Sequence, residues 1–321
     1  MLHYLLDLKK IIFLLVIISC VIGIFAENTS QSSAGVDYNL QVVKFYFQKQ
    51  EFDTVLNYIT DLEKDTYIPD SLKYFQAMSF SGLKFWEEAV ATYSDLLVHS
   101  VDLNLCSSVI TEFDIVQQNL NISDRIDVIS NILNELRTDD LRTRLLFILA
   151  DVYEEAHFFE EANDVYRTIL NESKVKDGFA VDLRIAANYI FLKDYLSALE
   201  ILEPIISLQD STLNSDALFL SFNANNSLSR KEEARSNLIA LYLNYPEHSK
   251  RFEIMNSLAE IYFQEKQYLI CWYILEELML ISNDSQLFGI ENKIDELRIL
   301  LSSEEDLPRQ FDNMELNFKE N

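Results

Sequence analysis

Glycine and proline are scarce in this sequence, at five and four of 321 residues. Tight turns must therefore be rare, which disfavours many-stranded sheets and favours helices joined by short polar turns. Cysteine is rarer still: Cys20, Cys106 and Cys271 form no C-x-x-C pair and no even framework. Neither a disulfide scaffold nor a zinc site is suggested, and Cys106 and Cys271, in apolar helical surroundings, read as buried free thiols. Positive charge is short as well. Lys and Arg number 26 against 52 Asp and Glu, a formal net charge of −26. The excess is spread along the chain, repels a nucleic-acid backbone and favours basic or neutral partners. Also missing are H-E-x-x-H, a P-loop, G-x-G-x-x-G and G-x-S-x-G. With only four histidines, the sequence points to no catalytic, cofactor or metal-binding residues.

The first residues are of another kind. Lys9 and Lys10 precede "IIFLLVIISCVIGIFA", a run without charge, and "ENTSQSS" follows. A positive flank, an apolar run and a polar start make the order of a secretory signal, and the run is short for a spanning helix, which needs roughly 20 residues. Because "MLHYLLDL" is also rather apolar, an uncleaved anchor is the alternative. "IISC" resembles a bacterial lipobox, which would make Cys20 a lipidation site, although "VIGIFA" departs from the polar tether of lipoproteins. Residues 1–26 are thus expected to be a signal peptide or membrane anchor and 27–35 a polar linker. The acidic stretch 303–321 is expected to be a frayed tail.

Between them lies a repeat. In "ADVYEEAHFFEEANDVYRTIL", Phe159, Ala162, Tyr166 and Ile169 are spaced by three, four and three. The spacing recurs at Trp86, Ala89, Tyr93, Leu96; at Tyr195, Ala198, Leu202, Ile205; and at Tyr268, Cys271, Leu275, Leu278. Weaker copies start at Phe52 and Lys231. Twelve residues upstream of each small residue stands another position of the same kind: Val43, Ala77, Ala150, Ala186 and Ala259, with Phe222 breaking the pattern. The second small positions fall at 55, 89, 162, 198, 234 and 271. One interval is doubled, so residues 103–138 must hold a degenerate copy, for which Ile126, Ile129, Leu133 and Leu136 supply the second-helix spacing. Offsets of three and four place these side chains on one helical face. Small residues there let a second helix approach, and aromatics one turn away fill the space beside it. One such antiparallel pair cannot bury its face alone, whereas stacked copies can.

On Ala150, Tyr153, Ala162, Tyr166 and their equivalents, with Pro246 after "ALYLNY", residues 36–285 resemble the tetratricopeptide repeat family. The resemblance implies an all-α, right-handed superhelical solenoid of antiparallel helix pairs, about seven repeats. Residues 286–302 would form a capping helix, so that the solenoid occupies 36–302. It further implies that the first helices line a concave groove, at places three before, one after and four after each first small residue. Here those places hold Leu40, Lys44 and Phe47; Tyr74 and Met78; Phe147, Asp151 and Glu154; Phe219 and Asn223; Glu260 and Phe263. The Lys and Asn clamp that one subclass uses on C-terminal carboxylates is absent. An apolar strip rimmed by acid fits a peptide or protein with apolar anchors and basic flanks. The alternative is that winding buries the aromatics between neighbouring first helices. The expected protein is an exported, non-catalytic interaction scaffold of the cell envelope, tethered through its N-terminus. The alternatives are a lipid or small-molecule binder and an accessory domain of an envelope enzyme complex. His99 and His248 fall in expected inter-repeat turns and His157 in the turn within a pair, all read as exposed. The Glu-Glu pairs at 87, 154, 160 and 232 read as solvated cap charge.

Overall fold

The computed structural model describes residues 34–64, 67–136, 139–172, 178–207 and 212–302. The signal or anchor segment with Cys20, most of the linker and the acidic tail lie outside them. Among the described residues there are fifteen α-helices and no strand. In chain order they are α1 (Ala34–Gln48), α2 (Phe52–Glu63), α3 (Asp70–Gly82), α4 (Trp86–His99), α5 (Leu103–Gln117), α6 (Ile122–Glu135), α7 (Asp139–Glu155), α8 (Phe159–Glu172), α9 (Gly178–Phe191), α10 (Tyr195–Ile206), α11 (Thr212–Ser227), α12 (Lys231–Asn244), α13 (Arg251–Gln264), α14 (Tyr268–Ile281) and α15 (Asp284–Ser302). Seven two-helix repeats and a last helix follow one another. No described helix is long and apolar enough to cross a membrane.

The turn inside each repeat explains how so few glycines suffice. Gln50, Lys84, His157, Lys193, Ser229 and Lys266 all have φ between 59° and 65°. Each stands seven residues after the first small position of its copy. Around each the same two bonds close the first helix: Lys84 N–H donates to the Ser81 carbonyl at 3.0 Å and Phe85 N–H to the Phe80 carbonyl at 2.9 Å. The equivalent pairs close the other five, from Gln50 and Glu51 to Lys266 and Gln267. This is a Schellman closure, with an ordinary side chain at the left-handed position that glycine usually fills. The Phe222 copy, irregular in sequence, keeps it.

The chain divides into two compact units, Met1–Phe158 and Phe159–Asn321. In the first, α1 packs on α2 and α3, and α3 on α4. Val43, Val55, Ala77 and Ala89 are fully buried where these helices meet, and Tyr93 fills the space beside them. In the second, successive helices from α8 to α15 pack on one another. Ala162, Ala186, Ala198 and Cys271 occupy the close approaches. Ile290, Ile294, Leu297 and Leu301 give α15 one buried stripe, packed against α14. Burying such faces, at about 25 cal/mol per Å², is what holds each repeat to the next.

One repeat departs from this geometry. The helix of the degenerate copy starts at Ile122, so Ile122, Arg125, Ile129 and Ile132 take the places expected for Ile126, Ile129, Leu133 and Leu136. The small position of the second helix is therefore Arg125, and that of the first is Phe113. Both are buried, at 4% and 0% exposure. α5 and α6 thus carry large side chains at both places, and they lack the close backbone approach seen between α1 and α2 and between α3 and α4. The turn differs too: no residue takes positive φ, and Asn121 instead caps α6 by accepting from Asp124 N–H at 3.0 Å.

Candidate functional site

The places assigned to the groove do not share one environment. Leu40 and Lys44 on α1 are half-buried. Phe47, Tyr74 and Met78 are buried, at 7%, 1% and 7% exposure, which corrects their placement on an open strip. Phe47 packs against the neighbouring first helix, and Tyr74 against the second helix of its own repeat. The Phe47 ring meets Phe75 edge-on at 5.2 Å, and Tyr74 lies 6.3 Å from Tyr93. At this end of the first unit the aromatics are core.

Farther along, the same face turns polar. Phe147 and Glu154 on α7 are half-buried and Asp151 is exposed. On α5 the equivalent places hold Asp114 and Gln117, which the misphased copy had hidden. Gln117, 2% exposed, donates through Nε2 to the Asp114 carbonyl at 3.1 Å and to its carboxylate at 3.3 Å. Its Oε1 accepts from Arg125 Nε at 2.6 Å, and Arg125 Nη1 donates to Glu155 at 2.7 Å. Arg144 bridges from α7 to α5, donating to Ser107 and Thr111 at 3.0–3.2 Å. Burial raises the Asp114 carboxyl above the ordinary carboxylate range. Its bond from Gln117 opposes this, the Asp151 charge adds to it, and Arg125 and Arg144 offset part. Two carboxylates thus stand on neighbouring first helices, the charge of Asp151 adding to the effect of burial on Asp114. The Glu154–Glu155 pair closes a first helix rather than opening a second, and Glu155 is a partner of Arg125. The pairs at 87, 160 and 232 do lie in first turns, as cap charge should.

In the second unit Phe219, Asn223 and Phe263 are half-buried and Glu260 is exposed. Phe263 meets Tyr268 at 5.7 Å, and Glu260 accepts from Lys293 of α15. Phe219 lies 5.8 Å from the His248 ring. The His248 side chain is 4% exposed and sits 3.3 Å from Asp216, so this histidine is in a turn, as expected, but is not an exposed one. His99 is exposed and belongs to the last turn of α4. Among the described residues no three His, Cys, Asp or Glu side chains converge as a metal site would require.

Helix pairs closed by a recurrent left-handed turn, with small residues at their crossings, define a helical-repeat protein of the tetratricopeptide type. No family model matches the sequence, nor does the sequence of any curated protein. Solved structures do resemble it. RapI in its apo form is 13% identical with a TM-score of 0.51, covering 87% of this chain and 84% of that one. A tetratricopeptide repeat protein from Parabacteroides merdae is 15% identical over 77% of this chain and 92% of its own, with a TM-score of 0.48. The apo quorum sensor NprR from B. thuringiensis is 14% identical over 95% and 92%, with a TM-score of 0.43. Identities this low speak to the fold and leave the function to be argued from the residues.

Proposed function

We propose that the chain is a non-catalytic interaction scaffold, whose first unit holds a basic segment of a protein partner against α5 and α7. The observation that carries this is the Asp114–Asp151 pair. A lysine or arginine placed beside Asp114 would favour its charged form, against which burial and the Asp151 charge work. Phe147, half-buried beside Asp151, offers an apolar contact for the same segment. Phe47, Tyr74 and Met78 contribute from beneath, by fixing α1 and α3. The run at residues 11–26 supports an exported, N-terminally tethered molecule working in the cell envelope.

The test is cross-linking in the native host with wild type and with Asp114→Asn/Asp151→Asn. A control, Glu232→Gln/Glu233→Gln, removes equal charge elsewhere. The expected result is a partner lost from the first variant, retained by the control, with unchanged melting. Equal recovery from all three would refute the reading.

A further inference from the structure

The second helices carry a feature of their own. Between α4 and α6 lies an open cleft of about 530 Å³, within the range of ligand-sized sites, ~300–1,000 Å³. One of its walls, α6, belongs to the repeat that carries Phe113 and Arg125 at its two small positions. Its lining runs from Glu87 to His99 along α4 and on to Glu135 along α6. Twelve residues of helix make it about 18 Å long. It is a furrow between two helices rather than a pit.

Its chemistry changes along its length. The middle is apolar and low: Ala91 and Val98 face the furrow from α4, Val128 and Ile132 from α6. Ser94 spends its hydroxyl on the Val90 carbonyl of its own helix, at 2.7 Å. Carboxylates stand toward both ends, Glu87 and Asp95 on one wall, Asp124 and Glu135 on the other. No Lys or Arg lines the furrow. Lys73 of α3 reaches Asp95 at 2.7 Å, and His99 lies 3.0 Å from the same carboxylate. Glu87, Asp124 and Glu135 have no cationic partner among these groups.

Rows of small apolar side chains at helical spacing, flanked by acid at each end, complement one shape of occupant. We infer that the furrow binds an amphipathic helix of a partner protein, with aliphatic residues on its central turns and lysines or arginines at both ends. The helix would lie along α4 and α6, its stripe over Ala91 and Val128. This site is separate from the α5–α7 face and does not depend on it.

The probe is a synthetic helix of about 14 residues, with leucines one turn apart and lysines at both ends, followed by fluorescence anisotropy at physiological ionic strength. Two controls replace its leucines by serine or its lysines by glutamate. Ala91→Trp fills the furrow from one wall and Val128→Trp from the other, so that one folded variant suffices. Binding to wild type is expected, with at least about tenfold weakening in the filled variants. Neither control peptide should bind, and Asp114→Asn/Asp151→Asn should bind like wild type. Equal affinity in both filled variants, binding of the serine peptide, or loss only in the Asp114/Asp151 variant overturns the inference. So does self-association relieved by Ala91→Trp, or uptake of an alkylammonium without the peptide; these would put a second copy or a small amphiphile there instead.

Discussion

Arg125 donates to Gln117 at 2.6 Å from a position where the other second helices carry Ala, Val or Cys. Both residues are almost fully buried, while the carboxylate that shares the guanidinium, Glu155, is 58% exposed. Truncating Arg125 therefore leaves Gln117 as the main orphan, because Glu155 returns to water. Arg125→Ala should cost about 2–3 kcal/mol, from that orphan and the space left behind. Arg125→Met/Gln117→Leu should lose less than the sum of its single changes, with a coupling of about 1 kcal/mol in urea denaturation. Simple additivity would mean that the bond does not organise the α5–α6 repeat.

The left-handed turns predict gains from glycine. Lys84 and Lys193 are exposed with φ of 65° and 62°. An L-residue there costs about 1–2 kcal/mol, of which the unfolded-chain entropy of glycine takes back about 0.4–1. Lys84→Gly and Lys193→Gly should each stabilise by about 0.5 kcal/mol. Leu120→Gly, at the equivalent place in the degenerate repeat, should destabilise. Thermal melts of the three variants check the contrast.

Gly82 predicts the opposite sign. A Cβ on it would lie 2.5 Å from the Phe52 ring, which packs on Phe47. Gly82→Ala should destabilise by about 1–3 kcal/mol despite the better helix propensity of alanine. Gly82→Ala/Phe52→Leu should recover part of the loss.

Glu112 is 4% exposed, and burial raises its carboxyl above the ordinary value. The folded state therefore binds its proton more tightly than the unfolded chain. The associated stability is complete below the unfolded pKa, ~4.3, and is lost as pH rises through the higher folded value. Glu112→Gln should melt higher than wild type at neutral pH, with the gap closing under acid. A constant difference across pH would show that Glu112 is not the group responsible.

How much of this was legible in the sequence follows from what each position must do. Ala77, Ala89 and Tyr93 announce the repeat because a close helix crossing tolerates only small residues and one aromatic beside them. The Phe222 copy deviates in its side chains, yet its turn at Ser229 keeps the same backbone. The degenerate copy sits four residues from its expected register for a specific reason. Apolar spacings of three and four repeat nearly every turn, so a shift of four residues fits as well, and an arginine at the small position is invisible to a search for alanine. The surface was harder still. Tyr74 and Phe147 occupy equivalent places, yet Tyr74 is buried against Tyr93 and Phe147 is half-buried, and only packing distinguishes them. The α4–α6 furrow depends on spacing between helices that no local pattern encodes.

The two buried thiols have a use that their inertness creates. Cys106 belongs to the first unit and Cys271 to the second, where burial pushes its thiol up to about 11. A thiol in that state reacts only when its surroundings open. With Cys20 replaced by serine, the rate at which an alkylating reagent labels each site reads the opening frequency of the unit that holds it. One chain thus carries two internal clocks. Equal labelling rates would mean that both units open as one, and unequal rates would rank them.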